Sequence, residues 1–350
     1  MTAVIAGIVA TTVPLVLLGL VAAWRWRLVA AAVIVLGAIG AGLSLGILAP
    51  TDLWVVPQGL QMAEPLVLVL LWTLFGAVAR TAGPLAVPGP AWLVAMLMGA
   101  GLGEIPAAAI LSAGAATPKG AARLALAAAG GGLIGRMGDP ALLILAGDHP
   151  GLLAGLVPLG IVCALVARPS SDDLVLAEDG NRARTAVVFL VAVAALVPGV
   201  APWAIGGGCL ALGLMAQDRR GHVDLSGMAW QLCAVVAAGL AVVGGAAEQV
   251  ASGLEWAAEL ADWMAAPALT LMSAILTALT DGTGMAVFAA ATVERAVSVD
   301  SMTLLPGLTA GIAVGGLAPL IAAGAVRPGL KIWLIQVGLA VLWASAWGLM

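Results

Sequence analysis

Residues 91–115 read AWLVAMLMGAGLGEIPAAAILSAGA, an apolar stretch interrupted near its middle by glycines and one acid, Glu104. A second apolar stretch, residues 264–294, is interrupted in the same way by Thr-Asp-Gly-Thr-Gly, whose acid is Asp281. A plain membrane-spanning helix does not carry an acid inside a glycine-rich break, because lipid satisfies neither the charge nor the freed backbone groups. The two stretches therefore predict re-entrant hairpins whose tips are buried against other helices.

The composition of the chain places these stretches in a lipid bilayer. Of the 350 residues, 63% are hydrophobic and 9% are charged, and the mean hydropathy is +1.14. A soluble protein carries about a quarter of its residues as charges. Continuously apolar runs such as Ala186–Val197 and Leu232–Ala246 lack the alternation of a barrel strand. We predict an all-α polytopic membrane protein, and the absence of a basic surface excludes nucleic acid as a partner.

Further apolar stretches predict about ten transmembrane helices in addition to the two hairpins, arranged as two repeats around a polar linker. The first repeat, residues 1–167, comprises three spans, the hairpin 91–115, a broken span 118–147 and a final span. Residues 168–184 are predicted to be a cytoplasmic linker. The second repeat, residues 185–350, comprises three spans, the hairpin 264–294, a broken span 302–325 and a final span.

The distribution of basic residues agrees with this topology. If the first loop is cytoplasmic and both hairpins return to their starting side, 12 of the 14 Lys and Arg residues fall on the cytoplasmic side, as the positive-inside rule requires. The N-terminus is then outside, and we expect the chain in the cell inner (plasma) membrane. An odd number of spans in each half makes the repeats inverted, an arrangement typical of secondary transporters that bind their substrate at the midplane.

The hairpin tips and the two later helix breaks carry the candidate functional residues. Glu104 and Asp281 are the predicted sodium ligands, because paired carboxylates can exchange a cation for protons. The other candidate substrate- or ion-binding residues flank these acids or lie in the breaks of the two broken spans: Pro106, Gly131, Gly132, Arg136, Asp139, Thr280, Thr283, Gly315 and Gly316. The sequence has no nucleophile–base set, Walker loop or Cys/His metal spacing, so we expect no enzyme activity and no cofactor other than a bound sodium ion.

Each candidate also has a structural interpretation. The acids could cap helix starts at the hairpin tips, and the glycine breaks could be packing kinks. Arg136 could neutralise Glu104 or Asp139, or it could contact an anionic substrate. Ser273 and Thr277, one and two turns before the second tip, are interpreted as polar groups that pack between helices.

The tips and breaks together resemble the ion transporter superfamily, which includes NhaD-type sodium/proton antiporters, arsenite permeases, and citrate and dicarboxylate carriers. Glu104-Ile105-Pro106 is similar to the first type of hairpin tip in these families, and Thr280-Asp281-Gly282-Thr283 is similar to the second. Gly131-Gly132 and Gly138-Asp139-Pro140 match the break that follows the first tip. The resemblance implies an inverted repeat with two hairpins and ion-coupled transport.

The two acids and the resemblance lead us to expect a secondary active ion transporter. Sodium/proton antiport by alternating access is the first hypothesis. The alternative is an anion carrier for arsenite or a di- or tricarboxylate, with Arg136 holding the substrate, and a non-transporting degenerate paralogue is the third. The expected partners are the small ion, protons and the lipid bilayer, and a homodimer is left open.

Overall fold

The computed structural model describes residues 90–135, 139–170, 182–195, 204–212, 262–279 and 301–349, with short gaps inside these ranges, and isolated positions outside them. The described part of the chain is helical and contains no β-strand. Its helices are α1 (Ala91–Leu102), α2 (Glu104–Ser112), α3 (Pro118–Gly132), α4 (Pro140–Ala146), α5 (Pro150–Val166), α6 (Arg182–Ala195), α7 (Asp262–Leu279), α8 (Ser301–Gly315), α9 (Ala318–Ala322) and α10 (Val326–Trp347).

Two segments of the described chain are long and apolar enough to cross a membrane. They are Leu304–Ala322, which comprises most of α8 together with α9, and Val326–Trp347, which is α10. Because the described residues form helices and no strand, the all-α class is confirmed for them. The three spans predicted before residue 90 lie outside these residues, apart from Phe75 and Val78, and so does the segment 213–261. The total number of spans stays a prediction.

Three of the four predicted breaks coincide with interruptions between described helices, and the fourth, at 280–284, lies mostly outside the described residues. Gly103 alone separates α1 from α2, and its φ of 90° is a backbone conformation that glycine adopts without steric cost. The segments between α3 and α4 and between α8 and α9 follow glycine-rich sequence. Pro140 and Pro319 then lie in the first turn of the next helix, where the missing amide of proline breaks no intrahelical hydrogen bond.

The helices α1 and α3 touch backbone to backbone through glycine. A Cβ atom added to Gly131 would collide with the carbonyl group of Met96, and one added to Gly135 would collide with that of Ala100. A Cβ atom added to Gly99 would likewise collide with the carbonyl group of Ala128, so α1 and α3 cross each other in backbone contact. The helix α2 packs against both of them.

The helices α7 and α8 also touch backbone to backbone through glycine. Cβ atoms added to Gly307, Gly311 and Gly315 would collide with the backbones of Ala266, Thr270 and Ala274, respectively. The partners advance together by four residues at a time, so α7 and α8 are parallel. Both halves thus contain a pair of described helices in backbone contact. The orientation of the two halves in a membrane stays a prediction.

The two predicted repeats share their hydrophobic cores. Leu320 of α9 is buried in a cluster that consists mostly of side chains from α1, α2, α3 and α6. On α10, the side-chain amide of Gln336 donates hydrogen bonds to the carbonyl oxygens of Leu126 (3.2 Å) and Cys163 (3.0 Å), which belong to α3 and α5. Because this amide is buried, each bond satisfies a donor that would otherwise be costly. The halves are therefore interlocked rather than separate domains.

One loop contact fixes the start of α3. The carboxylate of Asp173 accepts hydrogen bonds from the hydroxyl groups of Ser170 (2.7 Å) and Thr117 (3.2 Å), and Arg123 forms an ion pair with it at 3.3 Å. Thr117 in turn caps α3 by accepting the amide of Gly120. The Ser170 hydroxyl and the further donors hold the pKa of Asp173 below its ordinary value, although burial opposes them.

We expect Asp173→Asn to lower the thermal unfolding midpoint in detergent at pH 7. The loss corresponds to roughly 1 kcal/mol, since Arg123 is partly exposed and solvent screens its charge. A carboxylate with a lowered folded-state pKa stabilises the fold above its unfolded pKa, and this contribution disappears as the pH falls through the folded value. The difference between the variant and the native protein should therefore shrink below about pH 4. A difference that is constant with pH would contradict this account.

Candidate functional site

The first hairpin tip carries a buried acid. Glu104 is the first residue of α2, directly after Gly103, and only 9% of it is exposed to solvent. The neighbouring Pro106 is also buried in α2. A carboxylate in the first turn of a helix faces the positive end of the helix dipole, which stabilises its charged form. Glu104 thus has the features of a helix-capping acid. Its contacts with the rest of the chain decide whether it can also bind an ion.

The carboxylate of Glu104 reaches the break in the second repeat. A Cβ atom placed on Gly316 would lie 3.8 Å from Oε1 of Glu104. Gly316 follows the last residue of α8, and the next helix, α9, packs against α2. An acid from the first half therefore lies at the helix break of the second half, which brings Glu104 and Gly316 together from opposite ends of the sequence.

The second tip approaches the same end of α8. A Cβ atom on Gly282, the neighbour of Asp281 in the sequence, would lie 3.9 Å from Cγ2 of Thr277 and 4.0 Å from the carbonyl oxygen of Ile312. Ile312 and Gly316 are four residues apart, or about 6 Å along a helix. Glu104 of the first tip and Gly282 of the second therefore lie beside neighbouring turns at the end of α8. The candidates Arg136, Thr280, Asp281 and Thr283 themselves lie outside the described residues.

At the first break, between α3 and α4, the described acid caps a helix. Oδ1 of Asp139 accepts the amide of Ala141 at 2.8 Å, so this buried acid caps the start of α4. Gly131 and Gly315 make the close helix contacts described above, and Gly132 is buried at the end of α3. Gly131 and Gly315 therefore bring neighbouring helices into contact, whereas Gly316 faces Glu104.

The end of α8 can offer several oxygen atoms to a cation. The last carbonyl groups of a helix have no intrahelical donor and carry the negative end of the helix dipole. Such carbonyl groups coordinate Na⁺ in transporters with broken helices, and here the carboxylate of Glu104 lies beside them. Among the described residues, no group of three or more His, Cys, Asp or Glu side chains forms a transition-metal site.

One further residue lies near this cluster. Thr277 is 1% exposed, and its hydroxyl oxygen has no hydrogen-bond partner within the described part of the chain. The sequence predicts a packing group here, because hydroxyl groups inside helices usually bond to a carbonyl of the preceding turn. Its position four residues before Asp281 was the available signal.

Comparisons with known proteins provide no family for the chain. No protein-family model matches the sequence, and no curated protein sequence matches it. The link to the ion transporter superfamily therefore remains a resemblance carried by the tip and break motifs.

Proposed function

We propose that the chain is a secondary active transporter of the inner membrane that exchanges sodium ions for protons by alternating access. The observation that supports this best is the position of Glu104 beside Gly316. Gly282 of the second hairpin tip approaches Ile312, which lies one helical turn before Gly316. A buried carboxylate beside unsatisfied helix carbonyl groups is a site where a small cation and a proton can replace each other.

The location in a membrane is part of the proposal. Large apolar side chains are exposed on five described helices, α5, α6, α7, α9 and α10, and Leu190, Leu334 and Leu342 are each 60% or more exposed. Water would make such surfaces costly, whereas lipid covers them favourably. We propose the topology predicted above, with inverted repeats, about ten spans, two re-entrant hairpins and the N-terminus outside.

The coupling follows from competition for one carboxylate. Sodium binding to Glu104 requires the charged carboxylate, and protonation removes that charge, so each ion weakens the binding of the other by the same factor. If the site opens to one side of the membrane at a time, the release of one ion on each side allows the other to bind. Exchange then needs no nucleotide and no further cofactor.

The test is an assay of the purified protein in proteoliposomes that contain a trapped pH-sensitive dye. In vesicles with an acidic interior, external NaCl or LiCl should raise the internal pH, whereas choline chloride should not. Transport should depend steeply on pH because the proton is a substrate. Sodium addition without any pH change, at all pH values tested, would overturn the antiport proposal.

The same vesicles distinguish the two remaining functions. Uptake of arsenite or of a dicarboxylate without a cation response would identify an anion carrier instead. Vesicles that move none of these solutes would identify a non-transporting protein.

A further inference from the structure

Three hydroxyl groups line the side of α7 that faces α8, and the third differs from the others. Oγ1 of Thr270 donates to the carbonyl of Ala266 at 2.8 Å, and Oγ of Ser273 donates to the carbonyl of Thr270 at 3.2 Å. These are the usual bonds of buried hydroxyl groups in helices. Thr277 is buried to the same degree, but its hydroxyl has no partner among the described residues. A buried hydroxyl without a partner is unfavourable unless a ligand satisfies it.

The helix register places Thr277 level with the break in the second repeat. Along the parallel helices α7 and α8, Ala266 meets Gly307, Thr270 meets Gly311 and Ala274 meets Gly315. Thr277 is the next residue on this face, and it therefore lies level with the residues that directly follow Gly315.

Two contacts agree with this position. Thr277 lies beside Gly282 of the second tip, and Gly282 approaches the carbonyl oxygen of Ile312. Glu104 approaches Gly316, one turn further along. The unpaired hydroxyl is therefore at the same end of α8 as the buried carboxylate and the helix carbonyl groups.

We propose that the hydroxyl oxygen of Thr277 is a direct ligand of the transported cation, in one site with Glu104 and the last carbonyl groups of α8. This inference rests on the proposed function and names a ligand that the hairpin motifs do not include. A neutral hydroxyl oxygen suits a small hard cation, because it adds coordination without adding charge. It also explains why this one hydroxyl of the row lacks a bond to its own helix.

The first repeat has no counterpart for this ligand. If the contact between Met96 and Gly131 is aligned with that between Ala274 and Gly315, Gly99 corresponds to Thr277. If Glu104 is instead aligned with Asp281, Ala100 corresponds to Thr277. Neither residue has a side-chain oxygen atom. By either alignment, only the second repeat has a hydroxyl group at this position, and the first repeat supplies one acid to the proposed site.

The test measures sodium binding by thermal unfolding of the purified full-length protein in detergent. The unfolding midpoint is followed against NaCl concentration, with choline chloride keeping the ionic strength constant, because a ligand that binds the folded state raises the midpoint. We expect Thr277→Val to weaken the apparent sodium affinity roughly tenfold, the effect of losing one bond to a charged partner. Thr277→Ala should give the same loss if the valine variant does not fold, and Thr277→Ser should stay close to the native affinity.

Thr270→Val is the matched control, because it removes a hydroxyl from the same face that already has a partner in α7. It should lower the midpoint in choline chloride and leave the sodium affinity unchanged. Native-like sodium affinity in Thr277→Val or Thr277→Ala would overturn the ligand assignment while leaving the antiport proposal intact. A native protein that neither NaCl nor LiCl stabilises would overturn both.

Discussion

Replacing Glu104 with glutamine is expected to abolish sodium-dependent proton movement in proteoliposomes. Glutamine keeps the size and hydrogen-bonding capacity of the side chain but can neither carry the proton nor pair its charge with the cation. The loss should be roughly a hundredfold or more, the scale on which proteins lose activity with a proton-transferring side chain. The protein itself should remain folded, because removing an acid from a buried site relieves its desolvation cost.

Two measurements separate this effect from misfolding. Glu104→Asp retains the charge on a shorter side chain and should keep part of the transport activity. The unfolding midpoint of Glu104→Gln in choline chloride should equal or exceed that of the native protein, and NaCl should no longer raise it. Sodium-driven proton release at the native rate from Glu104→Gln vesicles would eliminate Glu104 as the exchanging group.

Replacing Gly311 with alanine is expected to cause a large loss of stability. The added methyl group would collide with Oγ of Ser273 and with the backbone of Thr270, both buried in the contact between α7 and α8. A flexible side chain could move away, but a backbone cannot do so without shifting the whole helix. Overpacking of this kind typically costs about 1–3 kcal/mol and occasionally more. The measurement is the unfolding midpoint in detergent together with the yield of monodisperse protein.

Gly338 provides the matched control. It also lies inside a helix, α10, but a Cβ atom added there meets nothing within 4 Å. Gly338→Ala should therefore be neutral or stabilising by up to about 1 kcal/mol, because alanine favours the helix over glycine. Equal midpoints for the two alanine variants would mean that α7 and α8 are not in backbone contact.

The sequence predicts the helix interruptions well, because their causes are local. Glycine at Gly103 and the glycine–proline segments before Pro140 and Pro319 act on their own backbone, and each coincides with an interruption in the structure. The buried state of Glu104 could also be expected, since an acid within an apolar stretch must be sheltered by other parts of the chain.

The partners of these groups could not be predicted in the same way. The approach of Glu104 to Gly316 depends on how helices more than 200 residues apart pack together. The roles of Gly131 and Gly315 were ambiguous, because a glycine that admits a neighbouring backbone looks the same in sequence as one that opens a binding site. The missing partner of the Thr277 hydroxyl could not be predicted either, because whether a hydroxyl bonds to its own helix depends on its rotamer and surroundings.

The glycine contacts have a mechanical consequence. Helices whose backbones touch cannot slide past each other without collisions, so α1 with α3, and α7 with α8, each behave as a stiff unit. A transporter that changes shape must then deform elsewhere, where side chains rather than backbones separate the helices. The contact of α10 with α3 and α5 is such a place, and the two hydrogen bonds of Gln336 are the polar links that a displacement of α10 would have to break and remake.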